Sequence, residues 1–411
     1  MHILILNQTF YPDVAATAQH MWDFAQHLVA KGHRVTALAS RNVYGTDRAA
    51  FTPRETVNGV EIVRVGGTAY GKRSLLHRLA DFASFYVAAS WELARMPAPD
   101  VIVALTSPPM ISSLGALACR FKRTSEGKRP RFVYYVMDVY PEAAVASGVF
   151  RRRGVVDRVF SWLTKRTLAR ADAIVALGRD MRDLLISHYG RKACGDKIVI
   201  VTPWADGKEI FPIPPDQNPL LSELGLRDTF NIVYSGNFGI AHDVTTITDA
   251  IELTRDEAGL CWVFIGGGTR MQQLKRQAAQ KGWKNVRILP YQARERLNEA
   301  LNLAHVHLIS QLPKFTGIVV PSKLFGIMAA GKAAIMIGPA GCEVSRILTE
   351  NQAGTVIANG DAQGLVAALR RLRNEASLTG ELGANARKAF GQHCDLPIIC
   401  ERLERAICGF T

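Results

Sequence analysis

The sequence predicts an α/β protein of two Rossmann-like, doubly wound domains in series. Short apolar strands alternate with helical segments of roughly 10–20 residues, the signature of a parallel sheet covered on both faces. That alternation occurs twice, interrupted by a cluster of Pro203, Pro212, Pro214, Pro215 and Pro219 that reads as an interdomain linker. A chain of 411 residues is long enough to give each half its own core. The expected boundaries are 1–205 and 206–395, with a closing helix over 396–411 able to pack back towards the first domain.

In the first half, residues 3–6 form a buried strand. The helix expected over 17–31 places Met21, Phe24, Ala25 and Leu28 on one face and closes at Lys31-Gly32. Strands follow over 35–39 and 60–65, then a helix over 74–96 and a strand over 101–105. A helix over 109–121 leads through a basic loop into strand 132–137. The basic stretch 151–170 precedes strand 173–177, helix 179–188 and strand 198–202. In the second half the strands fall at 231–235, 261–265, 287–289, 306–310, 333–337 and 354–356. Helices between them fall at 243–255, 269–282, 293–303, 322–330 and 342–350, and further helices run to the end. Sheets of this kind bind ligands just beyond the carboxyl ends of their strands, so a cleft there and its strand-to-helix loops are where chemistry is expected.

Bulk properties narrow the class. Hydrophobic content of 48% and charged content of 21% are ordinary for a globular protein. The N-terminus lacks the basic flank and cleavage site of a signal peptide, and no apolar run is long enough to span a bilayer. Seven scattered cysteines without a CxxC pair predict reduced thiols, no metal site and a cytoplasmic setting. Charge is uneven: residues 1–205 carry 28 Lys+Arg against 16 Asp+Glu, whereas 206–411 carry 22 against 20. The first domain is therefore expected to meet something anionic, be it nucleic acid, a phosphorylated substrate or an acidic membrane.

Several strand-to-helix loops carry residues suited to a phosphorylated ligand. Gly236-Asn237-Phe238-Gly239 and Gly266-Gly267-Gly268-Thr269-Arg270 each follow a strand, and their glycines let backbone approach a ligand closely. Pro321-Ser322-Lys323 opens a helix with Leu324, Ile327 and Met328 on one face and Gly331 at its end. Such a turn is either a plain loop-to-helix junction or an anion site, where free N–H groups and the Lys323 charge act together. Three such loops in one domain favour a nucleotide diphosphate, yet none matches GxGxxG or GxxxxGK[ST]. In the first domain, Tyr11 and Phe10 are either an acceptor wall or plain packing. Asp138 and Glu142, at a strand's carboxyl end, are candidates for binding sugar hydroxyls or taking a proton, or Asp138 caps a helix.

These residues resemble a family. The run Asp138-Val139-Tyr140-Pro141-Glu142-Ala143 onward to Gly148, with Pro203-Trp204-Ala205-Asp206, Ser235-Gly236-Asn237-Phe238-Gly239, Leu289-Pro290-Tyr291-Gln292 and residues 317–331, resembles the family 4 glycosyltransferases of GT-B fold. Within that family the pattern is closest to the bacterial polysaccharide and O-antigen subgroup, and it covers nearly the whole chain. The resemblance implies a nucleotide-sugar co-substrate, UDP-linked, and no other cofactor. It implies donor binding by Gly236, Asn237, Phe238, Gly239, Gly267, Gly268, Arg270, Tyr291, Pro321, Ser322 and Lys323. The acceptor, a lipid-linked saccharide, would meet Tyr11, Ala15, Ala16, Asp138 and Glu142. Transfer would retain configuration without a metal, in keeping with the lack of a DxD motif.

The chain departs from the broad family. Its paired glutamates fall here at Ile318 and Gly326, and its diphosphate-binding Arg and Lys at Asn237 and Asp243. A His common before Asp138 is Met137, and its N-terminal Gly-Gly is Ala15-Ala16. Lys323, Ser322 and nearby amides are then the best remaining diphosphate binders, with Arg270 weaker. Lys323 would stabilise the leaving diphosphate and Asp138 would orient the acceptor hydroxyl. Arg151, Arg152, Arg153, Arg158, Lys165, Arg166 and Arg170 flank Val156, Val159, Phe160, Trp162 and Leu163, as on a helix lying on an anionic leaflet. Residues 74–91, with Leu75, Leu76, Leu79, Phe82, Phe85 and Tyr86 after Lys72-Arg73, share that character; both helices could equally pack inward. The chain is thus expected at the inner face of the plasma membrane. Alternatives are a GT-B nucleotide-sugar epimerase, which would need carboxylates and His groups converging on one sugar, and a nucleic-acid-binding protein, for which no reading motif exists.

Overall fold

The computed structural model describes residues 1–13, 15–42, 51–68 and 75–409, with backbone alone at 75, 76, 78 and 79. Lys72, Arg73 and the side chains of Leu75, Leu76 and Leu79 lie outside the described residues. The chain forms two compact units: Met1–Thr202 with Cys400–Thr411, and Pro203–Ile399.

The first unit is built on β1 (His2–Leu6), β2 (Arg34–Ser40), β3 (Arg54–Val57), β4 (Val60–Val65), β5 (Val101–Ala104), β6 (Arg131–Val136), β7 (Ala173–Ala176) and β8 (Ile198–Ile200). They form one sheet of order β3-β4-β2-β1-β5-β6-β7-β8. Every pairing is parallel except β3 with β4. Central strands such as Ile3-Leu4-Ile5-Leu6 and Val101-Ile102-Val103-Ala104 are buried throughout, which is why they read as unbroken apolar runs. The edge strand β3 escaped the sequence reading because its residues are polar and half exposed. Its turn was visible: Asn58 and Gly59 take φ of 49° and 79°, the primed hairpin turn that Asn-Gly favours.

The last residues of helix Leu396–Cys408 belong to this unit. Glu404 accepts hydrogen bonds from His27 Nε2 at 2.8 Å and His33 Nε2 at 3.2 Å. Arg131 Nε donates to the Ile407 carbonyl at 3.0 Å.

The second unit carries β9 (Phe230–Asn237), β10 (Leu260–Gly267), β11 (Val286–Leu289), β12 (Val306–Ser310), β13 (Ala333–Ile337) and β14 (Gly354–Ile357), all parallel, in the order β11-β10-β9-β12-β13-β14. β9 and β10 outlast the expected strands because Gly236 pairs with Gly266 and Asn237 with Gly267. Tyr234, Phe238, Trp262, Phe264 and Ile335 fill the core on one face.

The segment 203–230 is not a free linker. Leu220, Leu221 and Leu226 pack with Val233, Val263 and Ala300 in a second core cluster. The Asn218 side chain accepts from the Leu220 amide to cap helix Pro219–Glu223. The prolines there start turns and a helix rather than spacing two domains apart. The division falls after Thr202, three residues before the expected one.

Candidate active site

The order of the second sheet reverses between β9 and β12, and an open α/β sheet binds ligands in the crevice at such a switch. The loops following those two strands are therefore the ones that matter, and they are tied together. The Leu312 amide donates to the Ala241 carbonyl at 2.8 Å, and His242 Nδ1 donates to the Ser310 carbonyl at 2.6 Å. Gln311 Nε2 donates to the carbonyls of Phe315 and Val319 at 3.0 and 2.9 Å, shaping the approach to Lys323.

Lys323 starts helix Lys323–Ala329, which has only seven residues, and Ser322 makes no side-chain cap. With so short a helix, the dipole expected from the sequence adds little and the side chain dominates. Lys323 Nζ is buried with no hydrogen-bond partner. It stands 3.4 Å from the centroid of the Tyr234 ring, and a Cβ on Gly236 would meet it at 3.8 Å. The Tyr234 hydroxyl donates to the Asn237 carbonyl at 3.1 Å, fixing the ring. A desolvated ring face favours a cation by about 2 kcal/mol, whereas burying an unpaired ammonium costs several kcal/mol. Burial wins: it holds the Lys323 ammonium well below the usual lysine range.

Beside it, His242 meets Tyr234 edge to face at 5.8 Å between ring centroids. Burial first, and the charge of Lys323 second, push its imidazole down to about 3, so it is neutral near pH 7.

The glycine loops have steric reasons for their glycines. At Gly266, φ is 128° and a Cβ would lie 2.3 Å from the Gly236 carbonyl oxygen. At Gly268, φ is 113° and a Cβ would lie 2.5 Å from Asn237 Oδ1 and from the Phe238 carbonyl oxygen. Tyr291, 61% exposed, covers Gly267, whose Cβ would approach its ring at 3.0 Å. Arg270 Nη1 donates to Gln273 at 3.0 Å, while its Nε is buried without a partner.

One expectation for this loop needs correction. Phe238 is fully buried against Tyr234 and Phe264, so its side chain is core and offers no surface to a donor. Its amide and carbonyl are engaged by the Gly267 carbonyl and the Arg270 amide. Asp243, where the resemblance leaves a cation missing, accepts from the Thr246 amide and hydroxyl at the start of helix Thr245–Leu253 and from Asn359 at 2.9 Å. Pro321, Ser322 and Gly239 are half-buried and Asn237 is exposed.

In the first unit, Asp138 follows β6 and retains part of its surface. The surrounding protein nonetheless pushes its carboxyl up to about 6. It caps no helix, since the next one begins at Glu142. Glu142 is already engaged: the Tyr189 hydroxyl donates to both its oxygens at 2.7 and 2.9 Å, and His188 Nδ1 to one at 2.9 Å. Tyr11 stacks on Trp22 at 4.1 Å between centroids, and Phe10 is buried, so this pair is mainly packing. Ala15 and Ala16 open helix Ala16–Ala30, where Ala16 is exposed.

The helix Leu75–Arg95 buries Phe85, and the Tyr86 hydroxyl donates to the Pro109 carbonyl, so those two aromatics face the protein. Helix Val155–Arg170 differs. It buries Thr164, Thr167 and Leu168 but exposes Val155, Val156, Val159 and Trp162. Arg166 lies 4.2 Å over the Trp162 ring. The Thr164 hydroxyl donates to the Tyr140 carbonyl at 2.9 Å, which places this helix beside the loop that carries Asp138.

Sequence reasoning missed Tyr234 and His242. Tyr234 read as strand core, which it also is, and His242 lay inside a loop valued for its glycines.

Two doubly wound α/β units are the GT-B fold, shared with solved glycosyltransferases. Residues 16–204 match the family model for a glycosyl transferase 4-like domain, and residues 221–389 match that for glycosyl transferases group 1. The chain belongs to this family of family 4-like glycosyltransferases. It is 28% identical over 224 residues to the glycosyltransferase WbjE of Pseudomonas aeruginosa, a match covering 54% of this chain and 55% of that protein. It is 23% identical over 358 residues to WcaI, a colanic acid biosynthesis glycosyl transferase of Escherichia coli K12, covering 84% and 86%. The chain thus spans about half the length of the first relative and most of the second. Among solved structures, WaaG, a glycosyltransferase involved in lipopolysaccharide biosynthesis, superposes with a TM-score of 0.72 at 17% identity, covering 99% of this chain and 100% of that one. Anabaena HepE in complex with UDP-glucose superposes at 0.71 and 16%, covering all of both chains.

Proposed function

We propose that this chain transfers a sugar from a UDP-linked donor, held by the second unit, to a lipid-linked glycan in the building of a cell-surface polysaccharide. The observation carrying this reading is the buried, unpartnered Lys323 Nζ against Gly236 at the switch point of the second sheet. An unpaired buried cation is costly unless something anionic arrives to pair with it, and a sugar nucleotide brings a diphosphate. The named relatives in polysaccharide assembly and the UDP-glucose complex of a similar chain support the substrate class.

Bond breaking leaves negative charge on the nucleotide diphosphate, which Lys323 and the amides around Gly236 and Gly268 stabilise. This reading gives Lys323 the charge-neutralising task, with no metal in the step. The acceptor hydroxyl forms the new glycosidic bond as the old C–O bond breaks. Its proton passes to the departing phosphate oxygen, so configuration is retained without a strong protein base. Asp138 orients the hydroxyl. Arg270, Asn237, Gly239, Tyr291, Pro321 and Ser322 complete the donor site, while Ala15, Ala16 and Tyr11 lie on the acceptor side. Glu142 serves the acceptor only indirectly, through the loop it braces.

The acceptor's lipid places the chain at an anionic leaflet. Val155, Val156, Val159 and Trp162 support this, exposed among Arg151, Arg152, Arg153, Arg158 and Lys165 next to the Asp138 loop. Among the described residues no helix is long and apolar enough to cross a membrane. A panel of UDP- and GDP-sugars tested by thermal shift, then by consumption with a membrane extract, checks the transferase reading. If no sugar nucleotide stabilises the protein or is consumed, that reading fails. Flotation with phosphatidylglycerol vesicles, lost in Val159→Glu/Trp162→Glu, checks the membrane part.

A further inference from the structure

The donor site carries a feature that the transfer reaction alone does not require. Lys323 Nζ lies against the face of Tyr234 and the backbone at Gly236, and the imidazole of His242 meets the same Tyr234 ring. The titratable groups around it supply no negative charge. Tyr234 has a hydroxyl raised well above its ordinary value by burial first and by Tyr291 second. His242 and His307 are both lowered by burial first, so each meets the lysine as a neutral ring. Asp243, the acid nearest in the loop, is spent on Thr246 and Asn359. No described carboxylate forms an ion pair with Lys323, and burial alone accounts for the direction in which its ammonium is moved.

Resting on the donor reading above, we propose that binding of the sugar nucleotide's diphosphate beside Gly236 takes up one proton from solvent onto Lys323 Nζ, and that the proton leaves again with the nucleotide. Two requirements meet at this position. The empty crevice must tolerate a polar side chain with no partner, which the uncharged amine does far more cheaply than the ammonium. The filled crevice must neutralise a diphosphate, which only the ammonium does. The proton reconciles them, and the Tyr234 face keeps the nitrogen in place in both states. His242 does not compete for the proton: burial above all holds its imidazole down to about 3, although the Ser310 carbonyl that accepts from Nδ1 favours the protonated ring.

The sign of the pH dependence follows. Diphosphate binding raises the proton affinity of Lys323, so donor affinity weakens as pH climbs between the empty-site and filled-site values. Within that window the apparent Kd rises up to about tenfold per pH unit. UDP-glucose is the suitable probe, because its diester-linked phosphates have no proton to exchange near neutrality.

Calorimetric titration of the full chain with UDP-glucose at roughly pH 8, in two buffers of different ionisation enthalpy, counts the protons. The wild type is expected to take up about one proton per ligand. Lys323→Arg, whose guanidinium is always charged, is expected to bind with none. Lys323→Met is expected to bind at least tenfold more weakly, again with none. Wild-type binding without proton exchange over roughly pH 7–9 overturns the proposal and leaves the donor reading standing. Uptake that persists in Lys323→Arg also overturns it, by placing the proton elsewhere. Failure of UDP-glucose, UDP and GDP alike to bind removes the donor reading itself.

Discussion

Lys323 Nζ stands 3.4 Å from the centre of the Tyr234 ring, although the two residues are far apart in sequence, and it has no hydrogen-bond partner among the described residues. The strand order creates this pairing: Tyr234 lies in the carboxyl half of β9, and the segment after β12 delivers the lysine across the switch.

Lys323→Met should separate function from stability. The empty protein should be as stable as wild type or more so by about 1–3 kcal/mol, since a buried unpaired polar group is removed. UDP at a hundred times its wild-type Kd should stabilise the wild type by about 2.7 kcal/mol and the variant far less. Thermal melts with and without UDP read both effects. A variant stabilised by UDP as strongly as wild type would take Lys323 out of the site.

Gly268→Ala should be costly because φ is 113° and the new methyl meets backbone at 2.5 Å. The expected loss is about 1–3 kcal/mol, accompanied by loss of UDP binding. Gly341→Ala, with open space around it, should change stability by no more than about 0.5 kcal/mol. Urea midpoints compare them directly, and equal midpoints would contradict the packing described.

Asp138 predicts a pH signature. Its carboxyl is raised from 3.8 to about 6 by burial, so ionising it opposes folding. The penalty is absent below the unfolded-state value, grows across the interval up to about 6 and is constant above. Asp138→Asn should therefore gain stability relative to wild type at pH 7 and not at pH 3.5, while transfer falls. A stability difference independent of pH would mean that the carboxyl is not perturbed.

Glu142 and Tyr189 should behave as a coupled structural pair. Double-mutant cycles with Glu142→Gln and Tyr189→Phe should return a coupling of about 1.5–3 kcal/mol, as for hydrogen bonds to a charged group. Denaturation curves give this number. If Glu142→Gln instead leaves stability intact and raises only the acceptor KM, the glutamate binds acceptor directly.

Part of the candidate site was legible in the sequence. The glycines at 236, 266 and 268 and the Pro-Ser-Lys turn announced close backbone approach and a cation, because those residue types carry their constraints with them. Phe238 misled for the opposite reason: an aromatic in a glycine loop reads the same whether it stacks on a ligand or fills the core. Glu142 shows another limit, since a carboxylate at a strand end does not reveal that a tyrosine 47 residues later will engage it. His242 and Tyr234 gained their meaning only from their neighbour.

The sequence by itself determined two α/β units, because strand and helix periodicities and buried apolar runs are local properties of the chain. It also determined the glycosyltransferase class, through short motifs whose order and spacing are specific. Only the tertiary structure decided that 203–230 packs into the second unit, that helix Val155–Arg170 leaves its valines and Trp162 exposed, and that Lys323 Nζ is buried without a hydrogen-bond partner. Burial and pairing depend on what distant segments bring to the same place, and desolvation, the force acting on Lys323 and Asp138, exists only once they arrive.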